Sequence, residues 1–347
     1  MQKTLGRQSR IPGIVSKAVR SRWVQLLVVC LFFALIIYFI DDGFIARGNV
    51  RNVLRGLIVP GLMIIAVGPL LAGGGIDLAA SAEATLCSLI FVNLLTYTSI
   101  PWPLAIIVAI ICGGILGLIN VFLINVLNFH AFIATIGMTS VYLGFSQMWT
   151  GMFDVMIRQD HVIDLGRVNL FNEWIPMLFI FMIVLVAIYI YIMANTRFGR
   201  SIYMVGGNQT AARLAGLNPK KVRAVLYINS GAMAALAGCV WSINSRMANA
   251  VGISNSMPNI TALTAVIIGG VSFMGGSGTL AAGLFGLLLV RLFDNGLVLA
   301  GMPSYINTAA QGLILIIALI VDNLSIMRQR RALIAAAMAT VDKKSKA

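Results

Sequence analysis

Apolar runs of about 20 residues follow one another along almost the whole chain, and short polar turns separate them. A helix of that length crosses the hydrocarbon core of a bilayer, which is about 30 Å thick. The pattern therefore predicts an all-α polytopic membrane protein with about ten transmembrane helices. The predicted spans cover residues 23–40, 53–72, 79–97, 102–127, 131–150, 174–194, 222–243, 258–273, 279–300 and 305–321.

One long polar segment, residues 195–223, interrupts this pattern near the middle of the chain. It holds six basic residues and no acidic residue, so we expect it to lie outside the membrane and to contact a partner there. The chain accordingly divides into a basic arm (1–22), a first membrane half with spans 1–6 (23–194), the coupling segment (195–222), a second membrane half with spans 7–10 (223–322) and a basic tail (323–347).

The composition supports a membrane protein and gives its orientation. Of the 347 residues, 59% are hydrophobic and 10% charged, against about 25% charged in a soluble domain. The arm, the central segment and the tail hold 18 of the 25 Lys and Arg residues. Because basic residues mark the cytoplasmic side of a span, both termini and the central segment are predicted to be cytoplasmic. The net charge of +14 therefore reflects topology and does not indicate nucleic-acid binding.

The central segment carries the signals of a short helix. Asn208 is a suitable N-cap and Gly216 a suitable C-cap. A helix of two turns between them is too short to be stable alone, so we expect it to dock into a groove on a partner protein. The alternative is a helix that lies flat on the bilayer. Its predicted apolar face consists of Ala211, Ala212, Leu214 and Ala215.

Two glycine-rich stretches interrupt the apolar spans, at residues 68–82 and 267–283, one in each half of the chain. Unwound backbone at membrane depth survives only where protein or a water-filled path satisfies it. Paired interruptions in two halves are typical of a transport path between related repeats. The alternative is that these glycines serve only close helix packing and tight turns.

Ionisable residues inside spans are expensive and are therefore candidates for function. Asp77 and Glu83 follow the first glycine cluster, and Arg291 and Asp294 stand three residues apart in span 9. We expect Asp77 to cap the start of span 3 and the latter pair to neutralise each other on one helix face. The four cysteines lie in apolar spans and the two histidines stand apart, so no metal site is expected.

The sequence contains no nucleotide-binding motif. A phosphate-binding loop requires GxxxxGK followed by Ser or Thr, and none of the seven lysines follows a glycine. No nucleophile–base constellation is apparent either. The chain is therefore predicted to be a transport subunit without a cofactor of its own, and any ATP and Mg²⁺ would be bound by a partner ATPase.

The stretch TRFGRSIYMVGGNQTAARLAGLNPKKV, residues 196–222, resembles the cytoplasmic coupling segment of ribose-type ABC transporter permeases, in the branched-chain amino acid/ribose permease family. Further motifs of that family follow the family's order over residues 45–322. They are GGGIDL (73–78), FIATIGM (132–138), SGAMAALAG (230–238), VIIGGVSFMGGSGT (266–279) and DNGLVL (294–299).

The resemblance implies a permease with a type II ABC importer-like fold in a bacterial inner membrane. It implies two permease chains, in a homodimer or heterodimer, that form the pore. Two ATPase subunits engage the short helix, and a periplasmic binding protein delivers a monosaccharide or sugar-like solute. The expected partners also include membrane lipid but no nucleic acid.

Three groups of site residues follow from the motif and the patterns above. The predicted ATPase-coupling residues are Arg197, Gly199, Arg200, Gly207, Asn208, Ala211, Ala212, Leu214 and Gly216. Candidates for the translocation path are Gly74, Gly75, Asp77, Glu83, Asn259, Gly269 and Gly270. Candidates for contact with the binding protein are Asp154, Arg158, Asp160 and Asp164.

The chain departs from the family pattern beside the first break and before the second. The usual IDLSVG is IDLAAS here, and Asn259 stands where an acidic residue is usual. These departures leave the identity of the solute open. The alternative functions are a stand-alone ion-coupled secondary transporter and an ABC permease for a non-sugar solute such as a nucleoside or a branched-chain amino acid.

Overall fold

The computed structural model describes residues 22–345, which are mainly helical. Residues 1–21 of the predicted basic arm and the last two residues of the basic tail lie outside this range. The helices are α1 (Arg22–Ile40), α2 (Arg47–Ala72), α3 (Ala80–Tyr97), α4 (Trp102–Val121, continued by a π-helical turn Phe122–Val126), α5 (Ala131–Thr150), α6 (Asp160–Arg167), α7 (Met177–Asn195), α8 (Arg197–Gly207), α9 (Gln209–Leu214), α10 (Pro219–Ser245), α11 (Gly252–Asn255), α12 (Pro258–Ile268), α13 (Leu280–Leu299) and α14 (Ser304–Ser345).

Eight helices in the described part of the chain are long and apolar enough to cross a membrane, which confirms the all-α polytopic fold. The other two predicted spans fall on α5 and α12. Helix α5 has 20 residues but a more polar sequence, whereas α12 has only 11 residues. At 1.5 Å per residue, α12 is about 16 Å long and reaches only part of the way across a bilayer. The eight spanning helices are Arg22–Ile40, Arg47–Ala72, Ala80–Tyr97, Trp102–Val126, Met177–Asn195, Pro219–Ser245, Leu280–Leu299 and Tyr305–Leu324.

Helix α2 is the central element of the fold, and its C-terminal half is fully buried. Span 2 contains Pro60 and Pro69, residues that usually interrupt a helix, but α2 continues through both. A proline removes the hydrogen bond to the carbonyl four residues earlier, which for Pro69 belongs to Ile65. The side-chain amide of Asn229 in α10 donates to that carbonyl at 3.0 Å. A neighbouring helix thus replaces the missing bond, which is how prolines are tolerated in membrane helices.

Helix α10 packs against α2, α3 and α4. Its contact with α4 is very close, because Gly113 and Gly117 lie against the backbone carbonyls of Gly231 and Tyr227. A Cβ atom at either glycine would overlap those carbonyls. These two glycines of span 4 therefore allow the two helices to approach closely.

The second half of the fold packs onto the other side of α2. Helices α12 and α13 lie side by side, both contact α2, and α1 packs on α13. Helix α7 also packs on α2. Helix α2 therefore joins the two groups of helices. The chain leaves helical geometry at the end of α2, before α3 begins, and again at the end of α12, before α13 begins.

The two ends of α10 define the two faces of the protein. Its N-terminus adjoins α8 and α9, and its C-terminus adjoins short strands. With 27 residues the helix is about 40 Å long, which is the distance between these two ends. We call these ends the basic face and the strand face. On the strand face, β1 (Val155–Met156) pairs antiparallel with β4 (Met247–Ala248), and β2 (Asn169–Leu170) pairs antiparallel with β3 (Ile175–Pro176). The β1–β4 pair joins the predicted external loop 151–173 to the polar loop 244–257.

Candidate functional site

The coupling segment folds as two helices, α8 and α9, that are both capped by side chains. The Thr196 hydroxyl accepts a hydrogen bond from the Gly199 N–H at 3.1 Å and caps α8. The Asn208 backbone N–H donates to the Met204 carbonyl at 3.1 Å and ends α8. The Asn208 side-chain oxygen caps α9, because it accepts from the N–H groups of Thr210 and Ala211, both at 3.0 Å. The predicted N-cap at Asn208 is confirmed, and it fixes the corner between the two helices.

Helix α9 ends as the sequence predicts. Gly216 has φ +82°, a left-handed conformation that favours glycine. Its N–H donates to the Arg213 carbonyl, and the Leu217 N–H donates to the Ala212 carbonyl, both at 3.0 Å. These two bonds form a Schellman motif, which satisfies the last carbonyls of a helix. A helix of only six residues is thereby closed at both ends by its own caps.

The predicted apolar face of α9 is split in the structure. Ala212 is buried, with 1% of its surface exposed, whereas Leu214 is 87% exposed. Ala211 and Ala215 are also exposed. Three of the four predicted residues are therefore exposed and free to contact a partner, whereas Ala212 packs on the rest of the chain. Leu214 is left projecting from the basic face.

The first break separates α2 from α3 at residues 73–79. Gly74 has φ +76°, a conformation that favours glycine. The Tyr227 hydroxyl of α10 donates to the Ile76 carbonyl at 2.9 Å, so part of the unwound backbone is satisfied by a side chain. A cavity of about 390 Å³ on the basic face reaches Gly74, Gly75 and Tyr227. The predicted break is therefore present and adjoins an open space.

The second break separates α12 from α13 at residues 269–279. Its two predicted path residues do not lie against the first break. Gly269 packs against the backbone of α13 at Gly283, and Gly270 lies beside the side chain of Arg22. Later glycines of the same stretch, Gly275 and Gly276, make the contact with the first break instead.

The two breaks meet at the end of α8, and the contact consists of backbone atoms. The Gly276 N–H donates to the Ala72 carbonyl, the last residue of α2, at 2.8 Å. Gly206 of α8 lies between them, and a Cβ atom there would overlap the Ala72 carbonyl. The Cα atom of Gly206 would also lie 3.6 Å from a Cβ atom placed on Gly74. We call Ala72, Gly74, Gly206, Gly275 and Gly276 the glycine junction.

The glycine junction is the part of the site that sequence reasoning missed. Gly206 stands beside the predicted coupling residue Gly207, and the sequence MGGSG at residues 274–278 reads as an ordinary turn. The available signal was that adjacent glycines occur in all three interruptions, at residues 73–75, at 206–207 and at both 269–270 and 275–276. Glycine pairs that face one another allow backbones to approach closely, but the sequence alone does not show which of them meet.

A buried polar layer lies above the first break. The Asp77 carboxylate accepts from the Ala79 N–H at 2.9 Å and from the Ser230 hydroxyl at 2.7 Å. The prediction that Asp77 caps this helix is wrong, because the N-cap of α3 is Ala79 and no side chain caps it. Asp77 instead orders the turn that leads into α3. The side-chain amide of Asn259, in the first turn of α12, donates to the Leu78 carbonyl at 3.0 Å. The layer thus connects Asp77 and Asn259 through the backbone of the first break.

Glu83 extends this polar layer along α3. It is fully buried, and one of its carboxylate oxygens accepts from the side-chain amide of Asn120 in α4 at 2.9 Å. Of the seven path candidates, the structure brings Gly74, Gly75, Asp77, Glu83 and Asn259 to the start of α3. Gly269 and Gly270 lie apart from them at the start of α13. The roles of all seven in transport remain predictions.

The candidates for contact with the binding protein lie on the strand face. Asp154, Arg158, Asp160 and Asp164 are all exposed. Asp164 forms an ion pair with Arg167 one turn later in α6, at 3.7 Å. Helix α6 is anchored by the buried Val162 and by Gly166, which lies against the Ile243 carbonyl of α10. These charges therefore stand on a platform that is attached to the main helical body.

The described residues contain no group of three or more His, Cys, Asp or Glu side chains that could hold a metal ion.

The Arg291 and Asp294 side chains form the predicted ion pair, at 3.7 Å. The side-chain amide of Gln311 in α14 also donates to Asp294, at 3.1 Å. The pair therefore connects α13 to α14 and does more than neutralise charge on one helix face.

Residues 52–319 match the family described as branched-chain amino acid transport system / permease component. The chain belongs to this family. It is a multi-span membrane permease and a transport subunit, as its helices and glycine breaks also indicate. The matched range includes both breaks and the coupling segment, so all parts of the candidate site except the termini lie within the family's own domain.

Curated relatives extend over nearly the whole chain. The chain is 31% identical to the probable ABC transporter permease protein YphD of Escherichia coli K12, over 94% of this chain and 96% of the relative. It is 29% identical to the ribose import permease protein RbsC of Haemophilus influenzae, over 85% of this chain and 91% of the relative. It is 28% identical to the fructose import permease protein FrcC of Rhizobium meliloti, over 86% of this chain and 84% of the relative. No solved structure matches the chain with significance.

Proposed function

We propose that this protein is the membrane-spanning permease subunit of an ATP-binding cassette importer. It translocates a monosaccharide or a sugar-like solute that a periplasmic binding protein delivers. It resides in a bacterial inner membrane with both termini and the basic face in the cytoplasm. Separate ATPase subunits bind ATP and Mg²⁺ and hydrolyse the ATP, and a second permease chain, identical or homologous, completes the pore.

The observation that carries this proposal is the glycine junction. The ATPase contacts α9, whose exposed Leu214 fits a groove on a partner. Helix α9 is joined to α8 through the Asn208 cap, and Gly206, the penultimate residue of α8, packs against Ala72 and Gly276. A displacement of α9 therefore reaches the ends of α2 and the second break through one short helix. ATP-driven closure of the ATPase subunits acts on the path by this route.

The strand face receives the binding protein. Asp160 and Asp164 lie on α6, whereas Asp154 and Arg158 lie on either side of β1. Helix α6 and the β1–β4 pair both contact the C-terminal end of α10. A rim of exposed polar and charged side chains is typical of a docking surface that forms and dissociates in each cycle. Helix α10 also carries Ser230 and Tyr227, which contact the first break. Arrival of the loaded binding protein is thereby sensed at the polar layer.

The proposal of a sugar substrate rests on the relatives, of which two are named as ribose and fructose import permeases. The family description names branched-chain amino acids instead. The test panel therefore contains D-ribose, D-fructose, D-galactose and L-leucine. An ion-coupled transporter that works alone is the rival from another class, and its motivating residues are the buried Asp77 and Glu83.

The test is uptake of these four radiolabelled solutes by the complete system and by the permease alone. The permease is co-expressed with candidate ATPase and binding-protein subunits from the same genome, and uptake is measured with the native ATPase and with a hydrolysis-deficient one. Accumulation of a sugar that requires ATP hydrolysis is the expected result. Accumulation by the permease alone under a proton or sodium gradient would overturn the proposal, and ATP-dependent uptake of leucine alone would overturn the sugar substrate.

A further inference from the structure

A polar groove lies near the strand-face end of α2, α13 and α14, away from the glycine junction. It consists of two adjoining cavities of about 240 Å³ each, and both are lined by Arg291, Asp294 and Gln311. At about 30 Å³ per water molecule, each cavity has room for roughly eight waters, which suits one small solute. We call the two cavities the outer lobe and the inner lobe.

The outer lobe is rich in carboxamides. It is lined by Asn49, Asn52, Asn295 and Asn307 together with the Gln311 side chain. A carboxamide both donates and accepts hydrogen bonds, as a sugar hydroxyl does. The side chains of Asn49 and Asn295 already bond to each other, at 2.8 and 3.0 Å, and so hold α2 against α13. The other carboxamides stand at the wall of the lobe.

The inner lobe leads from there toward the polar layer. Its wall contains Trp241 of α10 and Thr261 of α12. It also contains Pro258, the residue before Asn259, whose side chain contacts the backbone of the first break. An indole ring offers an apolar face to the C–H side of a sugar ring, as in many small-molecule sites. The groove thus ends beside residues that belong to the predicted translocation path.

Three polar atoms on the walls of the groove are buried and form no hydrogen bond within the described residues. They are Nε of Arg55, Oδ1 of Asp294 and Oδ1 of Asn307. Asp294 as a whole is 5% exposed. A buried polar group without a partner is unfavourable, and native structures satisfy nearly all of them. The groove therefore offers one free donor and two free acceptors. A ligand with several hydroxyl groups could bond to all three, because each hydroxyl both donates and accepts.

The backbone makes room for this arrangement. Gly56 of α2 faces Arg291, and a Cβ atom at Gly56 would overlap the guanidinium group. Arg291 therefore lies flat on α2 and points along the groove to Asp294. An ion pair that served only to neutralise charge would not need a glycine on the neighbouring helix.

We infer that this groove is an entry subsite for a neutral, polyhydroxylated solute of monosaccharide size. Asp294 accepts from its hydroxyl groups, Arg55 donates to its oxygens, and Asn307 and Gln311 fix its orientation. The solute binds here after release from the binding protein and before it reaches Asn259 and the first break. The inference rests on the proposed function for the sugar, and it adds the residues that recognise it.

The first test compares uptake by matched variants of the complete transporter. Arg55→Met and Asn307→Leu alter the groove, whereas Arg51→Met in α2 and Asn323→Leu in α14 alter residues of the same type on the same helices outside it. We expect uptake of the transported sugar to fall at least tenfold in the first two variants and less than twofold in the controls. Equal uptake in all four variants would overturn the inference even where the wild type confirms the proposed function.

The second test separates recognition from structural charge neutralisation. The double variant Arg291→Met, Asp294→Leu removes both charges together. A purely structural pair tolerates this replacement, because apolar residues of similar volume often substitute for buried ion pairs without loss of stability. We expect the double variant to reach the membrane in normal amount and to lose uptake at least tenfold. Normal uptake would show that the pair serves structure alone.

The third test does not depend on ATP-driven transport. In a cysteine-free background of the full chain, Thr261→Cys is labelled by a thiol reagent in the presence and absence of 100 mM D-ribose, D-fructose, D-galactose or L-leucine. We expect at least one sugar to slow labelling threefold or more, with no effect on an exposed Thr98→Cys control. Protection by leucine alone, or by none of the four, would overturn the inference whatever the uptake assays show.

Discussion

The peptide N–H of Gly276 donates a hydrogen bond to the carbonyl of Ala72 at 2.8 Å, which joins the second break directly to the last residue of α2. These residues stand about 200 positions apart in the chain. Gly206, the penultimate residue of α8, packs into the same contact. One hydrogen bond therefore marks the point where the two halves of the membrane domain and the coupling segment meet.

Gly206→Ala is expected to abolish uptake or to lower it at least tenfold. The new Cβ atom would overlap the Ala72 carbonyl, so α8 would be forced away from the junction. Gly144→Ala in α5 is the control, because nothing lies within 4 Å of the added atom and Gly144 belongs to none of the predicted site groups. ATP-dependent uptake and ATPase activity are measured for both variants. Similar losses in the two would contradict the proposed role of the junction.

Leu214→Asp is expected to separate the permease from its ATPase without destabilising the permease itself. Leu214 is 87% exposed and makes little contact within the chain, so a carboxylate there remains hydrated. In an apolar groove of the partner the same carboxylate would be strongly unfavourable. Co-purification of the ATPase and the thermal midpoint Tm of the permease are the measurements. Leu214→Met should keep both at the wild-type level, and retained co-purification of the Asp variant would exclude this docking mode.

Ser230→Ala is expected to destabilise the protein by about 1–3 kcal/mol, because it removes a hydrogen bond to the buried Asp77 carboxylate. Ser242→Ala on the same helix is the control. Its hydroxyl is equally buried but has no hydrogen-bond partner among the described residues, so its removal should be neutral or slightly stabilising. Thermal unfolding in detergent measures both. A larger loss in Ser242→Ala would contradict the hydrogen-bond assignment at Asp77.

A double cysteine variant tests the strand face and its orientation together. Met156 and Met247 are direct partners in the antiparallel β1–β4 pair, and such pairs bring Cα atoms to about 4.5–5.5 Å, within the range of a disulfide. We expect Met156→Cys, Met247→Cys to form a disulfide in cells without added oxidant, because the periplasm is oxidising. The pair is introduced into a protein whose four native cysteines have been replaced, and its gel mobility is measured with and without a reducing agent.

Met156→Cys, Ala248→Cys is the control for register. Residues one position apart in a strand point to opposite faces, so this shifted pair should remain reduced. A disulfide in the shifted pair would show that the register is different. A reduced thiol in both pairs, with labelling only by membrane-permeant reagents, would place the strand face in the cytoplasm and reverse the proposed topology.

The sequence predicts the parts of this protein that depend on local chemistry. The spans follow from apolar length, and the caps at Asn208 and Gly216 follow from residue type and spacing. The turn that Asp77 orders before α3 is local as well, since the carboxylate bonds a backbone N–H two residues later. Each of these features is decided within a few residues, and the surrounding fold does not change it.

The parts that the sequence does not predict depend on distant partners. Pro69 reads as an interruption, because the amide that repairs it comes from Asn229, 160 positions away. The glycine junction joins three segments that only the folded helices bring together. The same holds for the groove, whose polar residues come from α2, α10, α12, α13 and α14, and whose cavity walls are set by packing.

The roles of the site residues in coupling and recognition stay predictions until the variants are measured. Asp154, Arg158, Asp160 and Asp164 are predicted contacts because they are charges on a loop expected to be external. They are exposed, and the platform that carries them is anchored on α10. The split face of α9 narrows the coupling prediction to Leu214 and its exposed neighbours.

The absence of side chains at the centre of the glycine junction has a mechanical consequence. Side chains absorb small displacements by rotating about their single bonds, whereas peptide groups in van der Waals contact have no such freedom. At Gly206 the neighbours are the Ala72 carbonyl and the Gly276 N–H. The contact therefore yields little, and a displacement of α8 by a fraction of an ångström moves the end of α2, the second break, or both. A displacement of α8 is therefore passed to both halves of the membrane domain through peptide groups, with no side chain between them.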